Sequence, residues 1–133
     1  MPAATKSDAV IVLTTLGVDT DAAALARALV AERLAACVNV LPVMTSVYQW
    51  EGRVEQEQEQ QLVIKTVEHR VAALAARVRA LHPYAVPELL VIRASDGSEE
   101  YLRWIRDSVA PSEQGVLDEP QNEKAADQED EKQ

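Results

Sequence analysis

A glycine turn between two long extended segments restricts the fold more than any other feature of this sequence. Glu51-Gly52 follows the aromatic residues Tyr48 and Trp50, and a polar run begins at Val54. Glycine reaches positive φ without steric cost, so this pattern predicts a β-hairpin. Each arm spans about 14 residues, or roughly 45 Å at ~3.3 Å per residue, which exceeds the usual strand length. Such a hairpin extends beyond two covering helices, so its polar outer half predicts contacts with another subunit.

The apolar patterns around this hairpin predict an α+β fold in the order βαββαβ, followed by a C-terminal helix. The polar run EQEQEQQ at 55–61 suits a helix by propensity, but the preceding turn and the β-type run at 62–64 favour a strand. Two right-handed βαβ units around one antiparallel sheet form a ferredoxin-like sandwich, with a long hairpin between its second and third strands. The predicted elements are a strand at 9–15, a helix capped by Asp19 or Thr20 that ends near Leu34, a strand at 36–50 with a bulge, bend or edge at Pro42, a returning strand to Thr66, a helix at 71–81, a strand at 89–94 and a helix at 99–109 capped by Ser98.

The composition indicates one folded body with a polar extension at each end. The chain has 133 residues, and we expect a folded domain over 9–110, a flexible segment over 1–8 and an acidic, disordered tail over 111–133. The formal net charge of −9 argues against a nucleic-acid partner, because polyanion binding depends on a basic surface. Cys37 is the only cysteine, and no run approaches the ~20 apolar residues of a spanning helix. We therefore expect a cytoplasmic protein without a membrane partner.

Four ordered sequence blocks carry a resemblance to a known family. They are LAACVNV at 34–40, SVYQWEGRVEQE at 46–57, IKT at 64–66 and HPYAVPELL at 82–90. At this spacing they closely resemble the CutA, or divalent-cation-tolerance, family. The resemblance implies a ferredoxin-like homotrimer, similar in assembly to PII signalling proteins, with clefts between subunits. It also implies a role in tolerance of copper and other divalent cations.

The resemblance implies a metal site, and this sequence departs from the pattern of that site. In some members a copper site is proposed from a cysteine late in the first strand and two histidines before the PY motif. Thr14 stands in the place of the cysteine and Leu81 in the place of the first histidine, which leaves His82. One imidazole does not form a selective copper site. We therefore expect weak binding of Cu or Zn at His82, and the alternative is a histidine that caps the end of a helix.

The other candidate ligand residues each have a structural alternative. Carboxylates at Glu55, Glu57 and Glu59 share one face of the predicted strand and suit weak divalent binding or an interface salt-bridge network. Cys37 is a soft ligand or a small buried apolar group, and the aromatic residues Trp50, Tyr48 and Tyr84 line the cleft or form an interface contact. Lys65 pairs with a glutamate or binds an anionic ligand, because lysine is rarely buried without a partner. Glu88 is a functional carboxylate or caps the neighbouring backbone.

The sequence favours a binding protein over an enzyme. It lacks a Ser-His-Asp spacing, a glycine-rich phosphate loop, and the HExxH and CxxC patterns, so we expect no catalytic residues and no required cofactor. The main hypothesis is a homotrimer that contributes to divalent-cation tolerance through weak metal binding. The alternative is a PII-like regulatory trimer that binds a small anionic metabolite through Lys65, Tyr84 and Glu88. A third hypothesis is an interaction scaffold whose acidic tail contacts partners.

Overall fold

Five strands and three α-helices make up the part of the chain that the structure describes. The structure is a computed structural model that describes residues 7–83 and 86–111. The tail over 112–133, most of the N-terminal segment and Tyr84 therefore lie outside the described residues. The elements are β1 (Ala9–Gly17), α1 (Ala22–Ala31), β2 (Cys37–Val40), β3 (Met44–Trp50), β4 (Arg53–Val67), a 3-10 turn (Glu68–Arg70), α2 (Val71–Leu81), β5 (Leu90–Arg93) and α3 (Glu99–Val109).

The strands form one antiparallel sheet in the order β2-β4-β1-β5, and β3 pairs with the outer part of β4. β2 and β3 lie along the same edge of β4 and are separated by residues 41–43, which include Pro42. Proline cannot donate to a ladder, so the interruption falls where the sequence predicts a bulge, bend or edge. Counted as one interrupted strand, β2 and β3 give the predicted ferredoxin-like topology.

The hairpin between β3 and β4 is confirmed. Glu51 and Gly52 both have positive φ, at 51° and 80°, as type I′ hairpin turns require. Trp50 pairs with Arg53 across the turn, and the register continues to the pair Met44 and Glu59. β4 is 15 residues long, so the returning polar run is a strand and not a helix.

Helix α1 begins later than the sequence predicts. The amide of Thr20 donates to the Gly17 carbonyl oxygen at 3.0 Å, which closes a turn before the helix. The N-cap is therefore Asp21, and not Asp19 or Thr20. The Asp21 side chain accepts a hydrogen bond from the Ala24 amide at 3.0 Å.

Helix α1 also ends earlier than predicted, at Ala31 and not near Leu34. Arg33 has a φ of 60°, the left-handed conformation that commonly ends a helix. Its guanidinium donates to the carbonyl oxygens of Ser108 and Ala110, at 3.2 and 3.1 Å. The turn after α1 therefore holds the C-terminal end of α3.

The two faces of the sheet are covered unequally. Alternation along β1 and β4 directs one set of residues toward α1 and α2, which form the main core. That core contains Val10, Val12, Leu16, Leu25, Leu29, Leu62, Ile64, Leu74 and Val78. On the other face, α3 packs Ile105 and Val109 against Ala9, Ala36 and Val67. The rest of this second face carries Leu90 and Ile92 of β5, which are 57% and 47% exposed in the single chain.

Candidate functional site

An open groove lies beside the outer half of the hairpin. Cross-strand pairing sets Met44 opposite Glu59, Ser46 opposite Glu57 and Tyr48 opposite Glu55, so these side chains share one side of the sheet. The cavity has a volume of about 730 Å³. It is lined by Thr15, Met44, Ser46, Tyr48, Trp50, Glu55, Glu57, Glu59, Gln61, Val86, Pro87 and Glu88.

The groove is strongly acidic. Four carboxylates line it, and among the described lining residues there is no lysine, arginine or histidine. Glu55 makes an ion pair at 3.5 Å with Arg53, which lies just outside the lining. Glu59 is only 7% exposed, so its carboxylate lies at the deep end of the row.

The electrostatics of the groove raise the pKa of two of its groups. Desolvation raises the pKa of Glu88, the charge of Glu59 adds to this, and a hydrogen bond from Gln61 at 3.2 Å opposes it. Desolvation also raises the pKa of Tyr48, helped by its hydrogen bond to Glu57 and by the surrounding carboxylates. Desolvation is the main cause of both shifts, and the neighbouring carboxylates add to it.

Comparison with known proteins identifies the family. Residues 10–108 match the family model described as CutA1 divalent ion tolerance protein. The chain belongs to this family. It is 47% identical over 98 residues to the divalent-cation tolerance protein CutA of Thermus thermophilus, a match that covers 74% of this chain and 95% of the relative.

Solved CutA structures agree with the fold. The CutA of Xylella fastidiosa superposes with a TM-score of 0.75 at 43% identity, covering 78% of this chain and all of that one. The CutA of Archaeoglobus fulgidus, described as a periplasmic divalent cation tolerance protein, superposes with a TM-score of 0.73 at 30% identity, covering 77% and 99%. Within residues 7–83 and 86–111, no helix combines the length and apolar character needed to cross a membrane.

The copper donor set implied by the CutA resemblance does not fit this chain. Thr14 pairs with Leu62 on the face of the sheet that α1 and α2 cover. It is 0% exposed, so its hydroxyl is inside the core. Leu81 supplies no donor atom. Copper requires soft or nitrogen-rich ligation, and neither residue provides it.

His82 makes a structural contact at the end of α2. It is buried, and its Nε2 lies 2.5 Å from the carbonyl oxygen of Thr15. A carbonyl oxygen can only accept, so Nε2 carries the hydrogen and donates it. In this state Nε2 does not ligate a metal. His82 itself does not line the groove, although it holds the backbone of Thr15, which does.

The groove brings together some of the predicted cleft residues and not others. Trp50, Glu57, Glu59 and Glu88 line the groove, whereas Cys37 and Lys65 do not. The last two pair with each other across β2 and β4, and Lys65 lies six residues beyond Glu59, about 20 Å along the strand.

Lys65 has a different neighbour from the ones expected. Its Nζ lies 5.9 Å from the centre of the Tyr101 ring on α3. This distance is within the range of a cation–π contact, so the ammonium of Lys65 lies over an aromatic face. Within one chain, Lys65 therefore provides no positive charge to the acidic groove.

Sequence reasoning missed several lining residues. Thr15, Met44, Ser46, Gln61, Val86 and Pro87 also form walls of the groove. Gln61 continues the alternation of Glu55, Glu57 and Glu59 along β4, so extending the period by one step identifies it. The others come from β1, β3 and the segment after α2, and only the packing of these elements brings them to the groove.

Proposed function

We propose that this chain acts as a homotrimeric, non-catalytic CutA protein of the cytoplasm that contributes to divalent-cation tolerance through weak metal binding. The observation that carries the proposal is the acidic character of the groove, because its described lining includes four glutamates and no lysine, arginine or histidine. Negative potential focused in a cleft raises the local concentration of cations. The groove, and not His82, is the metal-binding region of this proposal.

The ligand geometry explains why the binding is weak. Carboxylate oxygens are hard ligands, suited to divalent ions that keep part of their water shell. Among the described residues, no group of three or more His, Cys, Asp or Glu side chains could hold a metal ion. An ion in this groove therefore receives few protein ligands from one subunit, which gives low affinity and low selectivity. Zn(II) and Cu(II) are expected to bind without the strong preference for copper that nitrogen or thiolate ligands give.

The trimer is supported by the uncovered part of the sheet. Leu90, Val91 and Ile92 of β5 are all exposed, and Leu90 and Ile92 pair with Leu13 and Ile11 of β1. Apolar strand residues that remain exposed in one chain are typical of a subunit contact. β3 pairs only with β4 among the described strands, so its outer edge also needs cover.

The alternative of an anionic metabolite receives less support. Four carboxylates in the groove repel an anion, and Lys65 lies at the other end of β4 beside Tyr101. Tyr84, the third residue of that hypothesis, lies outside the described residues. The groove therefore favours a cation as its ligand.

Calorimetric titration of the full, tag-free chain with ZnCl₂ and CuCl₂ tests the metal proposal. We expect weak binding that decreases in Glu57→Gln and stays unchanged in His82→Gln, whose amide can still donate to the Thr15 carbonyl. Glu100→Gln removes the same charge from the exposed surface of α3 and serves as the control. Tight, stoichiometric copper binding that is lost in His82→Gln and kept in Glu57→Gln would contradict the proposal. Light scattering that gives the mass of one chain would contradict the trimer.

A further inference from the structure

The end of the domain where α3 stops carries several arginines, and two of them have no acidic partner in the described body. Three arginines of this region pair with carboxylates, namely Arg77 with Glu32, Arg93 with Glu68 and Arg106 with Asp8. The other two, Arg33 and Arg70, make no ion pair within residues 7–83 and 86–111. No carboxylate of the described body therefore offsets the charges of this arginine pair.

Hydrogen bonds join the arginine pair, Arg33 and Arg70, to each other and to the end of α3. The Nη1 of Arg33 donates to the carbonyl oxygens of Ser108 and Ala110, at 3.2 and 3.1 Å. The Nε of Arg70 donates to the carbonyl oxygen of Arg33 at 3.2 Å. A guanidinium has five N–H donors, so these contacts with neutral carbonyls use only a minority of them. Both side chains therefore keep donors and their full charge for an anionic group.

The arginine pair lies apart from the proposed subunit contact. Arg33 follows α1, and Arg70 ends the 3-10 turn that leads into α2, so both adjoin the helices that cover the main core. The surfaces proposed for the trimer contact are those of β5 and the outer edge of β3. An anionic group that reaches the arginine pair therefore does not need to displace a neighbouring subunit from those surfaces.

The chain continues from this end of the domain into a strongly acidic segment. Residues 112–133 contain eight acidic residues and two lysines, which give a net charge of −6. The family match ends at residue 108, so this segment is not part of the matched domain. Its first acidic residues, Glu113, Asp118 and Glu119, follow Ala110 by three to nine positions, and Arg33 contacts the Ala110 carbonyl oxygen. A tether of this length gives an effective concentration on the order of 1 mM.

We infer that the acidic tail, residues 112–133, binds back to Arg33 and Arg70 of the folded body. Tail carboxylates accept charge-assisted hydrogen bonds from the two guanidiniums, whose planar arrangement of donors matches a carboxylate. Charge and tether favour this occupant, because the net charge of −9 repels a free polyanion whereas the tail is already attached. In this position the tail also keeps external anions away from the same arginines. The inference is independent of metal binding in the groove.

The test places a nitroxide spin label in the tail of the full chain and measures the paramagnetic broadening of backbone amide signals by NMR. Cys37→Ser removes the only cysteine, and Gln128→Cys provides the labelling site. The amide signal of Arg70 should be broadened more than that of Arg79, which lies near the other end of α2. The broadening at Arg70 should decrease as NaCl is raised, because exposed ion pairs are screened by salt.

The chain provides a matched control for the arginine pair. Arg70→Gln is expected to reduce the broadening at the Arg33 amide about twofold to fivefold, which corresponds to the loss of one exposed ion pair. Arg79→Gln makes the same change in net charge and should leave that broadening unchanged. Arg79 is exposed and, like Arg70, makes no ion pair within the described part of the chain.

A second variant tests the tail without altering the folded body. It combines Glu113→Gln, Asp118→Asn and Glu119→Gln in the full chain, and it should remove most of the broadening at Arg70. This variant decides the question even if Arg70→Gln fails to fold. Unchanged broadening in the triple variant overturns the inference, because the tail then approaches the arginine without its carboxylates.

The remaining outcomes each support or overturn the inference. Equal broadening at Arg70 and Arg79, or equal losses in the two arginine variants, overturns it in favour of nonspecific attraction. Broadening that falls on dilution reports contact between separate molecules and also overturns it. Absence of broadening in the wild-type chain overturns it, and a shift of the Arg70 amide on addition of inorganic phosphate then assigns the arginines to a free anion. Broadening that is independent of concentration and depends on Arg70 and on the tail carboxylates supports it.

Discussion

The buried hydroxyl of Thr14 leads to a stability prediction that has a control on the neighbouring strand. Thr14 on β1 and Thr66 on β4 are both 0% exposed. Thr66 Oγ1 donates a hydrogen bond to the Leu34 carbonyl oxygen at 2.8 Å. Thr14 Oγ1, by contrast, has no hydrogen-bond partner among the described residues. The same substitution should therefore change stability in opposite directions at the two sites.

The magnitudes follow from the cost of an unsatisfied hydroxyl. Leaving a buried donor or acceptor unpaired costs about 1–3 kcal/mol, and valine replaces the hydroxyl of threonine with a methyl group of similar size. Thr14→Val is expected to raise the free energy of unfolding by about 1 kcal/mol. Thr66→Val removes a hydrogen bond and leaves the Leu34 carbonyl unpaired, so it should lower that free energy by about 1–2 kcal/mol. In a folded domain of this size, 1 kcal/mol corresponds to a change in Tm of about 4–8 °C.

Urea unfolding followed by circular dichroism measures both changes. All variants are compared at one protein concentration, because the stability of an oligomer depends on it, and equal m-values confirm that the same surface is exposed. If Thr14→Val destabilises the protein as much as Thr66→Val does, the Thr14 hydroxyl has a partner and the reasoning is refuted.

Three further predictions concern single residues. The pKa of Glu88 lies above its ordinary value of 4.5, so the folded state holds this proton more tightly than the unfolded state, and the contribution of Glu88 to stability falls as pH rises from 4.5 through the raised pKa. Glu88→Gln should make that fall shallower in a urea series at several pH values, and an unchanged slope would contradict the assignment. Leu74 of α2 lies in the main core, so Leu74→Ala should lower the free energy of unfolding by about 2–5 kcal/mol. A loss below about 1 kcal/mol in urea unfolding would show that the site collapses or is poorly packed. Asp21→Ala should cost about 1 kcal/mol through the lost N-cap, whereas Asp19→Ala, outside the helix, should leave the unfolding midpoint unchanged.

The sequence was sufficient to predict the fold because its signals were local. The turn at Glu51-Gly52, the alternation along β4 and the interruption at Pro42 each depend on residues that are neighbours in the chain. The start of α1 was placed too early because Asp19, Thr20 and Asp21 are all capable N-caps. The choice among them depends on the local turn that the Thr20 amide closes with the Gly17 carbonyl oxygen, and residue type alone does not reveal that turn.

The candidate site was only partly predictable from the sequence. The carboxylates of β4 follow from alternation along one strand, and Trp50 follows from its place beside the turn. Lys65 is a charge within an apolar run, and this predicts a glutamate partner or an anionic ligand in the cleft. Distance along the strand and the approach of Tyr101 separate it from the groove, and neither is visible before the elements are packed.

The long strand β4 has two parts that differ in burial. Its second part, which includes Leu62, Ile64 and Val67, is buried and lies within the cores of the domain. Its first part, residues 53–58, is mostly exposed and faces the groove with every second side chain. Substitutions in that first part remove few core contacts, so they change the free energy of unfolding little. Ligand preference in such a protein can therefore diverge between lineages through changes on one half of a strand, while the other half keeps the fold constant.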